Sequence, residues 1–170
     1  MMGKVIIISG PVGAGKSAVA RELVSLLPGS VAIIEGDKFW SFIAKSEKSD
    51  WRENFHTIMR SMTAATIPFV RMEYDVVLDF SVPPHFLGFA RKILKEIHLE
   101  YVVLQPSQKV CAARAAARPE GTIKDYSKYS EFYLLFNEYE QYRIADDTAA
   151  PADLALRIKD GLKTGKFLVP

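Results

Sequence analysis

Cysteine is almost missing from this 170-residue chain: Cys111 is the only one, so no disulfide can form within it and a disulfide-stapled scaffold is excluded. Its neighbours, Val110 and Ala112-Ala113, include no basic partner for a thiolate, and Cys111 reads as a small buried hydrophobe. Long apolar runs are missing too. No stretch approaches the roughly 20 residues that span a bilayer, and no membrane partner is expected. Charge of one sign is not in excess, since 22 basic and 20 acidic residues leave a net charge of +2, and no nucleic-acid partner is expected. His85 and His98 lack companions at metal-ligand spacing, which leaves a zinc site without support. Repeats, linkers and low-complexity tracts are absent, so residues 1–170 are expected to form one domain. A charged n-region and apolar signal core are also lacking, which together with the lone thiol points to the cytoplasm. Composition leaves monomer and homodimer equally open.

What the chain does contain is Gly10-Pro11-Val12-Gly13-Ala14-Gly15-Lys16-Ser17, a fit to G-x-x-x-x-G-K-[ST]. A β-branched run, Lys4 to Ser9, precedes it and suits a strand buried on both faces; a helical pattern from Ala18 to Leu27 follows. Each residue type in this order has a physical task. Glycines let successive N–H groups turn inward onto a phosphate, and the helix N-terminus adds partial positive charge. Lys16 would reach the β- and γ-phosphates, and the Ser17 hydroxyl would ligate Mg²⁺. Gly10 to Ala18 is therefore the expected nucleotide-binding segment. A competing pattern is present: Gly13 to Ala18 also fits the dinucleotide signature G-x-G-x-x-[GA], with Glu35 about twenty residues on. The lysine and hydroxyl after the last glycine favour a triphosphate with its metal.

Further strands are predicted at Val31–Glu35, Tyr74–Asp79, Leu99–Leu104 and, weakly, Tyr142–Ala145. Helices are predicted from Trp51, with Pro68 as a kink or end, and over Pro84–Ile97, Pro106–Arg118, Tyr129–Glu140 and Ala152–Leu162. A polar stretch over 118–128 reads as a mobile lid-like loop. Strand and helix alternate, which predicts an α/β fold with a parallel sheet.

In such sheets ligands lie at the carboxyl ends of the strands. Asp79 closes the third strand and is placed to organise magnesium; Asp37 follows the second and is placed to accept a hydroxyl proton. Each has the alternative of capping a helix. Arg114 and Arg118, four apart on one predicted helix, suit a phosphate clamp or a solvated face. Arg52, His56 and Arg60 share another face, open to lining an acceptor pocket or to simple solvation. Trp40 and Trp51 are expected in the core rather than in an acceptor site.

Taken together, these residues resemble the small P-loop kinases of the adenylate-kinase-like group, which includes gluconate and shikimate kinases, chloramphenicol phosphotransferase and zeta-toxin-like kinases. Gly10–Ser17 looks like their phosphate loop, Glu35-Gly36-Asp37 like their acceptor-side aspartate, Val77-Leu78-Asp79 like their third-strand carboxylate, and residues 112–118 like their arginine-bearing helix. Asp147 to Pro151 resembles the loop that often contacts adenine, which implies nucleotide contacts at Thr148 and Ala150. The resemblance implies a three-layer fold with strand order 2-3-1-4-5 and a short lid, ATP with Mg²⁺, and γ-phosphoryl transfer to a hydroxyl of a small acceptor. Residues 40–72 match no acceptor signature of that group. A nucleotide-binding module or NTPase switch is the alternative, although no Asn-Lys-x-Asp guanine signature is present.

Overall fold

The computed structural model describes residues 2–170. Its central strand, β1 (Val5–Ser9), is buried along its whole length. Successive strand residues point to opposite faces. Val5 and Ile7 accordingly enter one core and Ile6 and Ile8 another. Full burial of each isoleucine contributes about 1.5–3 kcal/mol.

Around β1 lie β2 (Val31–Glu35), β3 (Asp75–Asp79), β4 (Leu99–Leu104) and β5 (Arg143–Ile144). All are parallel, in the order β2-β3-β1-β4-β5. Helices α1 (Lys16–Leu26) and α6 (Pro151–Lys163) pack on each other over Ile6, Ile8, Val77 and Val102. On the other face α2 (Trp51–Arg71) and α3 (Leu87–Leu94) cover Val5, Ile7, Leu78 and Tyr101. This is the three-layer, P-loop kinase-like architecture that the resemblance implied.

Several predicted helices are shorter than their patterns. Residues 84–86 form a 3-10 turn before α3, which ends at Lys95 in a left-handed backbone (φ 49°). There the Arg91 guanidinium reaches the carbonyls of Lys95 and Ile97 and terminates the helix. The helix predicted to end at Arg118 is α4 (Gln108–Ala116), so Arg118 lies beyond it. The aromatic stretch 129–140 holds only α5 (Ser130–Leu134), flanked by 3-10 turns, because Phe136 turns into the core and Tyr139 is left-handed (φ 55°). Pro68 does not end α2, which continues to Arg71, although it leaves the Ala64 carbonyl without its helical amide partner.

The parallel register brings the site together. Ile8 lies beside Asp79, and Asp79 beside Glu35, so the carboxyl ends of β1, β3 and β2 are level. Gly10, Asp79 and Asp37 therefore emerge at one edge of the sheet.

Candidate active site: a phosphate loop beside an aromatic cavity

The loop leaving β1 needs glycine at two positions for two reasons at once. Gly10 (φ 139°) and Gly13 (φ 82°) are left-handed. A Cβ at Gly10 would stand 2.1 Å from the Leu104 carbonyl oxygen, and one at Gly13 2.2 Å from that of Cys111. The loop is thus pressed onto β4 and α4. Gly15 occupies the N-cap of α1 and offers no side chain to its amides, which leaves the first turn open toward an anion. Lys16 Nζ donates to the Pro11 carbonyl at 3.1 Å and so curls back over the loop.

Lys16, Ser17 and Asp79 form one electrostatic unit. Asp79 is buried, and desolvation pushes its carboxyl above the ordinary range, opposed by the Ser17 hydroxyl, which donates to it, and by Lys16. Burial likewise pushes the Lys16 ammonium down, opposed by Asp79 and then Asp37, while the Arg118 charge adds to the lowering. Each charge is thus held at a cost that an anion and a cation bound between them would offset. Asp79 is no helix cap, because Pro83 holds the cap of the next turn.

Asp37 is not a cap either. The 3-10 turn Gly36–Phe42 begins at Glu35, with no side-chain capping bond, and Asp37 sits within its first turn. Gly36 is wedged where a Cβ would meet the Phe80 ring at 2.6 Å and Met62 Sδ at 2.7 Å, which fixes the turn against β3. Asp37 projects into a cavity of about 540 Å³ that it shares with Val12 of the phosphate loop. The remaining wall is mostly aromatic: Trp40, Trp51, Phe55, Phe80, Tyr129 and Phe132, with Ser81 and Lys128.

This corrects the expectation for the two tryptophans. Trp40 and Trp51 are 38% and 54% exposed and face the cavity, packed around Phe55 with ring centroids at 6.4 and 5.5 Å. Pattern reading missed Phe55, Phe80, Ser81, Lys128, Tyr129 and Phe132 as cavity residues. They come from three separated segments, and a run such as 129–140 announces hydrophobic spacing without saying which void it borders.

The two arginines separate. Arg114 reaches the carbonyl of Ala14 in the loop and that of Asp147, both at 3.4 Å, and so ties the phosphate loop to residues 146–150. Arg118, past the end of α4, is exposed, and its charge is felt at Lys16 and Tyr126. The polar stretch between them and α5 is folded down: the Ile123 amide bonds to Ala115, and the Tyr126 hydroxyl donates to Val12. Cys111 is fully buried beside Tyr126, and burial pushes its thiol up, as expected of a packing residue.

Thr148 and Ala150 are both exposed on the loop before α6. Asp146 shapes that loop by accepting from the amides of Thr148 and Ala149 at 3.0 and 2.8 Å, and Ala150 caps α6. Of the basic triplet on α2, Arg52 and His56 border a second cleft, whereas Arg60 lies over the Phe89 ring at 4.9 Å, away from both.

The dinucleotide reading fails on topology. That fold places the second strand beside the first, so that its terminal acid meets the ribose. Here β3 separates them, and Glu35 instead pairs with Lys38 at 3.1 Å.

Residues 5–131 match the model of a protein family described as an AAA domain. The chain belongs to that AAA domain family. Within it the phosphate loop, Asp37, Asp79 and both arginines all fall inside the matched residues. No curated protein matches the sequence. Among solved structures, the chain is similar to the Mycobacterium tuberculosis APS kinase CysC in complex with AMPPNP and APS, with a TM-score of 0.73 at 16% identity over 95% of this chain and 98% of that one. It is also similar to the Deinococcus radiodurans tunicamycin resistance protein (TM-score 0.70, 19% identity, 99% of each chain). A third is shikimate kinase from Acinetobacter baumannii with shikimate (TM-score 0.64, 20% identity, 96% and 95%). At these identities the AAA domain chain shares their fold.

Proposed function

We propose that this chain is a kinase that transfers the γ-phosphoryl group of ATP to a hydroxyl of a small-molecule acceptor. The observation that carries the reading is the shared wall: Val12 of the phosphate loop and Asp37 border the same cavity, which is of acceptor size. A switch or a storage module has no use for such a cavity beside its phosphates. Kinases of small molecules among the like-folded structures support the reading.

In this reading the nucleotide phosphates lie on Gly10 to Ala18. Lys16 supplies positive charge at the β- and γ-phosphates, Arg114 and Arg118 add charge from the opposite side, and Thr148 and Ala150 flank the base. Asp37 orients the acceptor hydroxyl and takes its proton as the oxygen attacks. Ser17 and Asp79 provide the hard oxygen donors that magnesium prefers. Among the described residues no three His, Cys, Asp or Glu side chains cluster to hold a metal. Magnesium bound through one or two protein oxygens and the substrate phosphates does not need such a cluster, and it would supply neutralisation of phosphate charge. Positioning and charge are what phosphoryl transfer requires of a protein.

The test is ADP release from ATP·Mg²⁺ with a panel of hydroxylic small molecules. Release that depends on one class of acceptor supports the kinase. ATP turnover indifferent to every acceptor, giving only inorganic phosphate, refutes it.

A further inference from the structure

The cavity beside Asp37 does not end at its aromatic wall. A second cleft of about 340 Å³ adjoins it, and the two share Trp51, Phe55, Lys128 and Phe132. Their chemistry differs. The first has Asp37 and a ring-lined wall. The second adds Arg52, His56, His85 and Glu131.

We propose that the phosphoryl acceptor is a planar ring compound carrying an anionic group as well as its hydroxyl, with the ring among Trp40, Phe55 and Phe132 and the anion at Lys128 in the second cleft. The inference rests on the kinase reading and names the substrate class of that site. Three observations support it.

First, the exposed faces of Trp40 and Trp51 border the first cavity, and Phe55, the hub they pack around, is itself in contact with Phe80 and Phe132 at 5.6 and 6.3 Å. Flat apolar walls of this kind favour a flat apolar ligand, because stacking adds to the gain from burial. A polyhydroxylated chain would set most of its hydroxyls against ring carbons, with only the Tyr129 and Ser81 hydroxyls and the indole N–H groups to meet them.

Second, charge is sorted along the path. An anion next to Asp37 would be repelled, so an anionic group must lie at the other end of the molecule. Lys128 stands where the two clefts join, exposed and without a salt-bridge partner among the described residues, and Arg52 lies beyond it in the second cleft.

Third, the remaining donors of the second cleft are held in place. Arg52 is braced by Asp50 at 3.6 Å and lies over the Trp51 ring at 5.6 Å. His56 and His85 rest on the Phe86 ring at 4.8 and 4.7 Å. Each imidazole offers at least one N–H. Glu131 is the one carboxylate of this lining, so the anion is placed toward Lys128 and Arg52.

The chain contains two tryptophans, and both line this cavity, so tryptophan emission, excited selectively over the seven tyrosines, reports on it. The experiment saturates the phosphate loop with a non-hydrolysable ATP analogue and Mg²⁺, then titrates four probes. Adenosine 5′-monophosphate and 4-(hydroxymethyl)benzoate combine ring, anion and hydroxyl from two chemical sources. Adenosine keeps a ring without the anion, and ribose 5-phosphate the anion without the ring. At least one ring-bearing anion is expected to bind on the order of tenfold more tightly than both partial probes, and Lys128→Gln to remove that advantage while leaving adenosine unchanged. Whichever of the two binds identifies a nucleotide-like or a simple aromatic acid. Equal binding of the partial probes, no response to either ring-bearing anion, or no effect of Lys128→Gln overturns the inference. ADP release measured on parallel samples, with ATP in place of the analogue, keeps the two readings apart. Phosphorylation of a neutral or ringless acceptor sinks this class and leaves the kinase standing, whereas tight binding of a ring-bearing anion without transfer sinks the kinase.

Discussion

Tyr126 donates its hydroxyl to the main-chain carbonyl of Val12 at 2.7 Å, across 114 residues of sequence. The contact joins the segment after α4 to the middle of the phosphate loop, where Val12 also borders the acceptor cavity. Burial pushes the Tyr126 hydroxyl well above its ordinary pKa, so it remains a donor throughout the usable pH range.

Tyr126→Phe removes this tether and keeps the ring. Loss of one such bond costs about 0.5–1.5 kcal/mol, with the Val12 carbonyl left free to turn. Nucleotide affinity is expected to fall several-fold, and amides over 118–129 to exchange faster with solvent. Unchanged exchange in that segment would show that other contacts hold it.

Asp79→Asn is expected to raise stability while lowering transfer. The folded-state pKa of Asp79 lies above its ordinary value of 3.8, chiefly through desolvation. Below 3.8 both folded and unfolded chains hold the proton and the burial carries no charge penalty. As pH rises through the window between the two values, the folded chain must release a proton it binds more tightly, and stability is lost. Above that window the amide recovers the penalty, and a rise in Tm is expected. The gain should shrink as pH falls toward 3.8. A lower Tm at pH 7 would contradict the sign.

Gly13→Ala tests the backbone of the loop. The left-handed φ of 82° and the 2.2 Å approach to Cys111 both oppose a Cβ. The expected loss is at least about 2 kcal/mol, or roughly 4–8 °C in Tm, with nucleotide binding impaired as α4 is forced away. Wild-type melting and binding would mean that the loop relaxes freely.

Arg114→Ala breaks the link between Ala14 and Asp147 as well as removing a charge proposed to face the phosphates. Transfer is expected to fall by roughly 10²-fold, with a smaller loss in ATP affinity. Arg114→Lys should restore little, since a single ammonium cannot reach both carbonyls. A loss confined to ATP affinity, with kcat unchanged, would assign Arg114 to ground-state binding alone.

How much of this was legible before the fold was known depends on the range of the signal. Gly10 to Ser17 is contiguous, and its backbone demands are local, so the loop, its strand and its helix followed from spacing. The positions of Asp37 and Asp79 followed from a rule about strand ends, and parallel register places both at one edge of the sheet. The cavity did not follow. Trp40 and Trp51 carry the same hydrophobic pattern whether they face a core or a void, and only the distant placement of Lys128 and Phe132 makes the difference. Likewise Arg114 and Arg118 have helical spacing, but α4 stops at Ala116, so the shared face that spacing implied is broken.

The most direct test of the kinase is the fate of the γ-phosphoryl group. Labelled ATP is incubated with Mg²⁺ and an acceptor, and the label is followed in wild type, Lys16→Ala and Asp37→Asn. Wild type is expected to place the label on an acceptor hydroxyl, Lys16→Ala to abolish detectable transfer, and Asp37→Asn to lower transfer by about 10²-fold or more while binding ATP as wild type does. Label appearing only as inorganic phosphate at a rate indifferent to the acceptor, or transfer undiminished by both substitutions, would contradict the account.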